Sequence, residues 1–424
     1  MAIGNLPGVG MLAGDGIFRG RAVFWAAGAV AFLGWLGVAS GWLMAPVQTH
    51  FAYLTAFTFV TSIALGALIF LMTTYVVGAS WNTVIRRLNE CVVSVFPVLG
   101  LCFVPIALGL RDVYLWAASA SSLAGLPEHE RHLLEHKQAY LNAPFFVGRA
   151  ALYFLIWSAA ALVLCRRSTR RDRAASPSPG AITGPPLSGE PAASELGLRR
   201  DRSFSAAALP PVALALTFAA FDWLMSLQPF WMSSIFGVYY FAGGFVASLG
   251  LVAVLAHAAA RSGVALIRPP HFHALGRLML GFTIFWAYIA FFQALLIALP
   301  NRPEEVVFYV QRLDAGWDRV AWALIVVRFL VPFFVLLPRS VKFRGSALAW
   351  VGAGLVAGHY LDIYWLVIPM QAGHGPLPGL WDAAALCAVG GTISLSAAWW
   401  LRGKNVVPIG DPLLDRSAAY RSPI

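Results

Sequence analysis

The sequence predicts an all-α protein that crosses a membrane about ten times, and three observations carry that expectation. Of its 424 residues, 59% are hydrophobic and only 12% are charged, against about 25% charged in soluble domains. The apolar residues gather into ten runs, each close to the length a helix needs to cross a hydrocarbon core of roughly 30 Å. The basic residues lie mostly between those runs, and unevenly.

The ten spans cover residues 23–44, 51–77, 91–110, 144–165, 206–227, 233–259, 275–299, 320–337, 348–370 and 381–401. The first follows Arg19 and Arg21 and could mimic a signal peptide. It is too long for a typical signal core and a second span follows at once, so it reads as a retained helix. The N-terminal segment 1–22, the loops after spans two, four, six and eight (with Arg277 at the inner end of span seven) and the tail 402–424 together hold 22 of the 30 Lys and Arg. The opposite loops hold six: Arg111, Arg131, Lys137, Arg302, Arg312 and Arg319. By the positive-inside rule both termini are cytoplasmic. The formal net charge of +11 thus reports topology rather than a nucleic-acid ligand.

Two segments stand apart from the spans. Residues 166–202 open with RRSTRRDR and continue through Pro, Gly and Ser. Such a composition cannot bury a core, so a disordered cytoplasmic linker is expected between spans 1–4 (23–165) and spans 5–10 (203–401). Its basic start suits a stop-transfer role and could also rest on anionic lipid. On the other side, residues 127–141 read as a short amphipathic helix. Its His129, His132 and His136 alternate with acids and a lysine, as on a solvated or partner-facing helix rather than a metal site. Cys91, Cys102, Cys165 and Cys387 form no CxxC or CxxCH. No covalent haem or iron–sulfur cluster is expected in this chain.

Ionisable residues inside the spans are the candidate functional groups, because a carboxylate near mid-membrane costs roughly 2.5–3.5 kcal/mol and needs a partner or a wet cavity. His359 and Asp362 sit three apart in span nine, on one helix face. Arg328 in span eight falls at a similar depth, and Asp222 in span five is placed like Asp362. Arg149 opens span four, while Glu90 and His257 mark the inner side. For Asp222 a structural ion pair is the competing reading. A weak internal duplication with a four-span period sets Arg149 against Arg319 and Asp222 against Asp362. Spans 2–5 and 6–9 then form two similar four-helix bundles in parallel repeat, with spans one and ten outside.

Three stretches carry a resemblance: HKQAYLNAPFFVGRAALYFLIW (136–157), FDWLMSLQPFWMSSIFGVYYFAGGFVASLG (221–250) and HFHALGRLMLGFTIFWAYIAFFQALLIALPNRPEE (271–305). They resemble the NrfD/PsrC-like membrane subunits of alternative complex III, a bacterial quinol:cytochrome c oxidoreductase, over essentially the whole chain. The resemblance implies two four-helix bundles in the bacterial inner membrane and a partner-dependent role in respiratory electron transport. Partners would be the companion NrfD-like subunit ActC, iron–sulfur and haem c subunits holding the redox centres, a terminal oxidase, and lipid. Quinol or menaquinol is the implied substrate. His359, Asp362, Asp222, Arg328, Arg149, Glu90 and His257 then belong to a proton path or a second quinol region. The path is the preferred reading, since ActC is the better-supported quinol subunit and no pocket is marked in the sequence. A secondary transporter and a purely structural anchor are the alternatives from other classes.

Overall fold

The computed structural model describes residues 17–18, 20–118, 125–175, 190–371 and 373–422, with the side chains of 190–194 left aside. Among them are ten helices long and apolar enough to span a membrane: α1 (Arg21–Met44), α2 (Pro46–Val76), α3 (Thr83–Leu108), α4 (Ala143–Ala175), α5 (Glu195–Leu227), α6 (Phe236–Arg261), α7 (Pro269–Ala298), α8 (Trp317–Leu336), α9 (Gly345–Met370) and α10 (Leu380–Leu401). Each corresponds to one expected span. No strand occurs among the described residues. The chain is a polytopic, all-helical protein of membrane type.

Burial ranks the helices. The most apolar stretch of α2 is 94% buried, and that of α1 only 22%. A helix that is apolar all round can be wrapped by others or by lipid, and here α2 is wrapped. It packs against α3, α5, α6, α9 and α10, while α6 packs against α2, α5, α7 and α9. The pairing α2–α5 is mirrored by α6–α9, and α5–α6 by α9–α2, with α2–α6 between them. α1 and α10 form a close pair outside this core.

Small residues let these helices meet. An added Cβ on Gly66 of α2 would stand 2.6 Å from the Gly244 carbonyl oxygen of α6. One on Gly250 of α6 would stand 2.7 Å from the Gly352 oxygen of α9. Both obstacles are backbone, so neither can swing aside. Without a hydrophobic drive between helices in lipid, such close approach supplies the packing energy.

The expected disorder over 166–202 does not extend to its ends. α4 stays helical through Ala175, and a helix runs from Glu190 into α5; residues 176–189 fall outside the described set. Arg is a good helix former, and two of these arginines, Arg167 and Arg171, have an acid partner. Asp201 receives Arg167 at 3.3 Å and also Arg171, and Asp172 receives Arg87. Arg87 also meets Glu90 at 2.7 Å, and Arg86 meets Asp411. The tail 402–422 is part of this network rather than a loose end. The Gly410 N–H donates to Asp172 Oδ1 at 3.0 Å, and the Ser417 hydroxyl to the Trp81 carbonyl at 3.0 Å. We call this the basic end of the molecule and the opposite one the far end.

Candidate functional site

The seven candidate residues fall into four places. Arg149 and Asp222 form one. Arg149 Nε and Nη2 donate to the two Asp222 oxygens at 2.8 and 2.9 Å, and the Tyr153 hydroxyl donates to Oδ2 at 2.7 Å. The guanidinium also covers the Tyr140 ring at 3.8 Å. The carboxylate thus accepts three hydrogen bonds within a shell of aromatic rings, which is the geometry of a tie between α4 and α5. Glu90 forms another place, held by Arg87 at the basic end. His257, half-buried, stands apart from it with its ring against Phe272. The expected inner cluster of Glu90 and His257 is thus two separate contacts.

His359, Asp362 and Arg328 form the fourth place, and there the polar groups connect. Arg328 lies on a π-helical stretch of α8, Ile325–Leu330. A wider turn of this kind inserts a side chain between neighbouring helices and recurs at functional sites. Arg328 Nη1 donates to Asp362 Oδ2 at 2.5 Å and to His359 Nδ1 at 2.9 Å, and Nη2 to the Gly243 carbonyl at 3.3 Å. Its cation lies 4.2 Å from the Trp286 ring centroid. The Tyr239 hydroxyl from α6 donates to the other oxygen of Asp362.

The histidine tautomer follows from these contacts. Nδ1 accepts from a guanidinium, which always carries its proton, so the ring hydrogen is on Nε2. Nε2–H then donates to Ser62 Oγ of α2 at 2.7 Å, and the Ser62 hydroxyl donates to the Phe59 carbonyl at 2.7 Å. Tyr239, Asp362, Arg328, His359 and Ser62 are one hydrogen-bonded chain across α6, α8, α9 and α2. Gly243 and Gly358 make room for it. A Cβ on Gly243 would lie 2.9 Å from His359 Cε1, and one on Gly358 2.8 Å from Arg328 Cγ.

The internal duplication predicts Arg319, not Arg328, opposite Arg149. In the structure Arg319 is exposed, and the carboxylate of the second half is met by Arg328. Tyr239, Trp286, Ser62 and Gly243 were not anticipated either. A tyrosine or tryptophan within an apolar run carries no sign of the group it will face.

One end of this chain opens on a cleft. A cavity of about 260 Å³ is lined by Tyr239, Trp286, Gln293, Tyr309, Leu324 and Trp365, among others. Its outer wall is the short helix Pro303–Leu313. Arg312 fastens that helix, donating to the Leu366 carbonyl at 2.8 Å and the Phe308 carbonyl at 3.0 Å. Trp365 Nε1 donates back to the Arg312 carbonyl at 3.0 Å. Burial lowers the Arg312 guanidinium to about 9, which still leaves it charged at neutral pH. These carbonyls and the Gln228 side-chain oxygen, at 3.2 Å, supply the negative partners, since no carboxylate pairs with Arg312 among the described residues.

The cleft is mostly apolar, with five aromatic side chains, and its lining reaches the surface at the exposed Leu313 and Ile325. Trp286 Nε1, a donor, and Gln293 Oε1, an acceptor, are buried without a hydrogen-bond partner among the described residues. Buried polar atoms are nearly always paired, so these two are suited to a ligand carrying an acceptor and a donor. Ligand sites run roughly 300–1,000 Å³, so this volume suits a ring-sized head with its tail outside. In the sequence the proton path is favoured partly because no pocket is marked. The cleft supplies that feature, built by residues from four spans and a surface helix that no local pattern connects.

No group of three or more His, Cys, Asp or Glu among the described residues is arranged to hold a metal ion. No protein-family model matches the chain, and no curated protein sequence matches it either.

Proposed function

We propose that the chain is an ActF-type membrane subunit of alternative complex III, and that the cleft between α6, α7, α8 and α9 receives the quinol head. One observation carries the reading. The wall of an aromatic cleft reached from the apolar surface is also the first link of a buried ionisable chain, through Tyr239 and Trp286. Resemblance of the three quoted stretches supplies the class of complex. On this reading the protein lies in the bacterial inner membrane with both termini cytoplasmic. It works beside ActC, with the iron–sulfur and haem c subunits carrying the electrons.

Oxidation of a quinol to a quinone releases two protons and two electrons. This chain orients the ring and takes up the proton of one hydroxyl, while the other proton leaves with the electrons toward the partner subunits. Gln293 Oε1 accepts from a quinol hydroxyl, and Trp286 N–H donates to the ring oxygen that loses its proton. The Tyr239–Asp362 hydrogen bond leads a proton away from the cleft, with Arg328 holding the carboxylate ready as an acceptor. The two electrons leave to redox centres in partner subunits.

A second reading rests on the continuation of the chain through His359 to Ser62, which leads away from the cleft. On it the same residues serve a proton path for quinol oxidised elsewhere. Titration of the assembled complex with a quinol analogue separates the two. Trp286→Ala and Gln293→Leu should weaken binding at least ten-fold under the first reading and leave it unchanged under the second. Asp362→Asn should impair turnover-linked proton release under either, and weaken analogue affinity only if the cleft is the site.

A further inference from the structure

At the basic end, a histidine bonded to the Ser422 hydroxyl at 2.5 Å and three cationic side chains gather, and among the described residues no carboxylate pairs with them. His273 and Arg277 stand one turn apart on α7, and Arg339 and Lys342 lie on the short helix Arg339–Phe343 packed against it. Phe343 organises the group. The His273 ring stacks on it at 4.3 Å, and the Arg339 cation lies 5.4 Å from its centroid. The charges facing His273 are those of Arg339, Lys342 and Arg277. Lys342 is held in place, its ammonium donating to the Leu336 and Leu337 carbonyls at 2.5 and 2.9 Å. Gly276 admits its stem, since a Cβ there would come within 2.9 Å of Lys342 Cγ.

Elsewhere at this end the packed arginines have acids. Arg86, Arg87, Arg167 and Arg171 all pair with Asp or Glu. No ion pair reaches Arg277, Arg339 or Lys342 among the described residues, and both arginines are exposed. Like charges set side by side repel one another, so the group favours an anion. Next to the cluster, α8 exposes Val331, Phe334, Val335 and Leu337. On α7, Gly281 stands four residues from Arg277 on the same face, and nothing lies within 4 Å of where its Cβ would be. An apolar strip and a notch therefore run directly into the charges.

We propose that this cluster binds the phosphate of an anionic phospholipid, whose acyl chains lie along the exposed faces of α7 and α8. Free phosphate would use the charges alone; a lipid uses the charges and the strip. Basic pockets between spanning helices are suited to such headgroups, and each Lys or Arg contributes on the order of five-fold in affinity.

The test is native mass spectrometry of the full-length protein in detergent, titrated with phosphatidylglycerol or phosphatidylcholine. Wild type should retain phosphatidylglycerol preferentially. Arg277→Gln with Arg339→Gln should lose that preference by on the order of 25-fold, and the corresponding pair of lysine substitutions should keep most of it. Should the double variant misfold, Arg339→Gln alone, on the exposed short helix, should show the five-fold loss. Equal retention of both lipids by wild type, or unchanged preference in a folded glutamine variant, overturns the proposal. Displacement of the bound lipid by millimolar inorganic phosphate would show that the strip contributes nothing, and overturns the lipid assignment.

Discussion

Replacing Asp362 by asparagine removes one charge from a site where both members of the ion pair are at most 1% exposed. Asparagine keeps the shape and one acceptor, so the Tyr239 hydroxyl can still donate. Arg328 is left with His359 Nδ1, the Gly243 carbonyl and the Trp286 face. Removing one partner of a buried pair costs about 3–5 kcal/mol. The remaining cation–π contact, about 2 kcal/mol when desolvated, places the expected loss at the lower edge, about 3 kcal/mol. Arg328→Gln should cost a similar amount by stranding the carboxylate. The double variant leaves no charge, and should fall short of the sum by about 2 kcal/mol, within the usual range for contacting residues. The assay is reversible denaturant unfolding of the protein in mixed micelles, followed by helical circular dichroism. Single variants within about 0.5 kcal/mol of wild type, or strict additivity, would refute the claim that the pair is a coupled, desolvated unit.

Gly250→Leu should abolish folded protein, because its side chain meets the Gly352 backbone of α9, whereas Gly354→Ala, with nothing within 4 Å, should elute and melt like wild type. Asp411→Asn should free the tail, since Arg86 and Asp411 are each 1% exposed; cleavage by trypsin at the exposed Arg416 should be faster than in wild type, and equal rates would count against the latch. A reporter active only in the cytoplasm, fused after Leu401, should be active; silence there with activity of a periplasmic reporter would invert the topology.

The ten spans were legible because membrane crossing is written in local composition, and each apolar run became one helical span, α3 with breaks at Ser94, Val95 and Phe103. The His359–Asp362 face was legible for a similar reason, as i and i+3 on a helix need no tertiary knowledge. What lay hidden depends on which helices become neighbours. Arg328 and Arg319 are nine residues apart in one stretch, and a π-helical turn plus the α8–α9 contact made Arg328 the partner. The tail looked like a polar end, yet Asp411 and Ser417 close the basic end against residues more than 300 positions earlier. The cleft was least legible of all. Its two unpaired polar atoms, Trp286 Nε1 and Gln293 Oε1, acquire meaning only once α7 is set against α6, α8 and the helix Pro303–Leu313.

The central claim is that the quinol head occupies this cleft, next to Tyr239. A photoreactive quinone analogue, activated in membranes containing the assembled complex and mapped by peptide mass spectrometry, tests it directly. Labels are expected on α7 between Trp286 and Gln293 and on the helix Pro303–Leu313, lost when excess unlabelled quinol is present. Competable labels confined to partner subunits, with none on this chain, would contradict it.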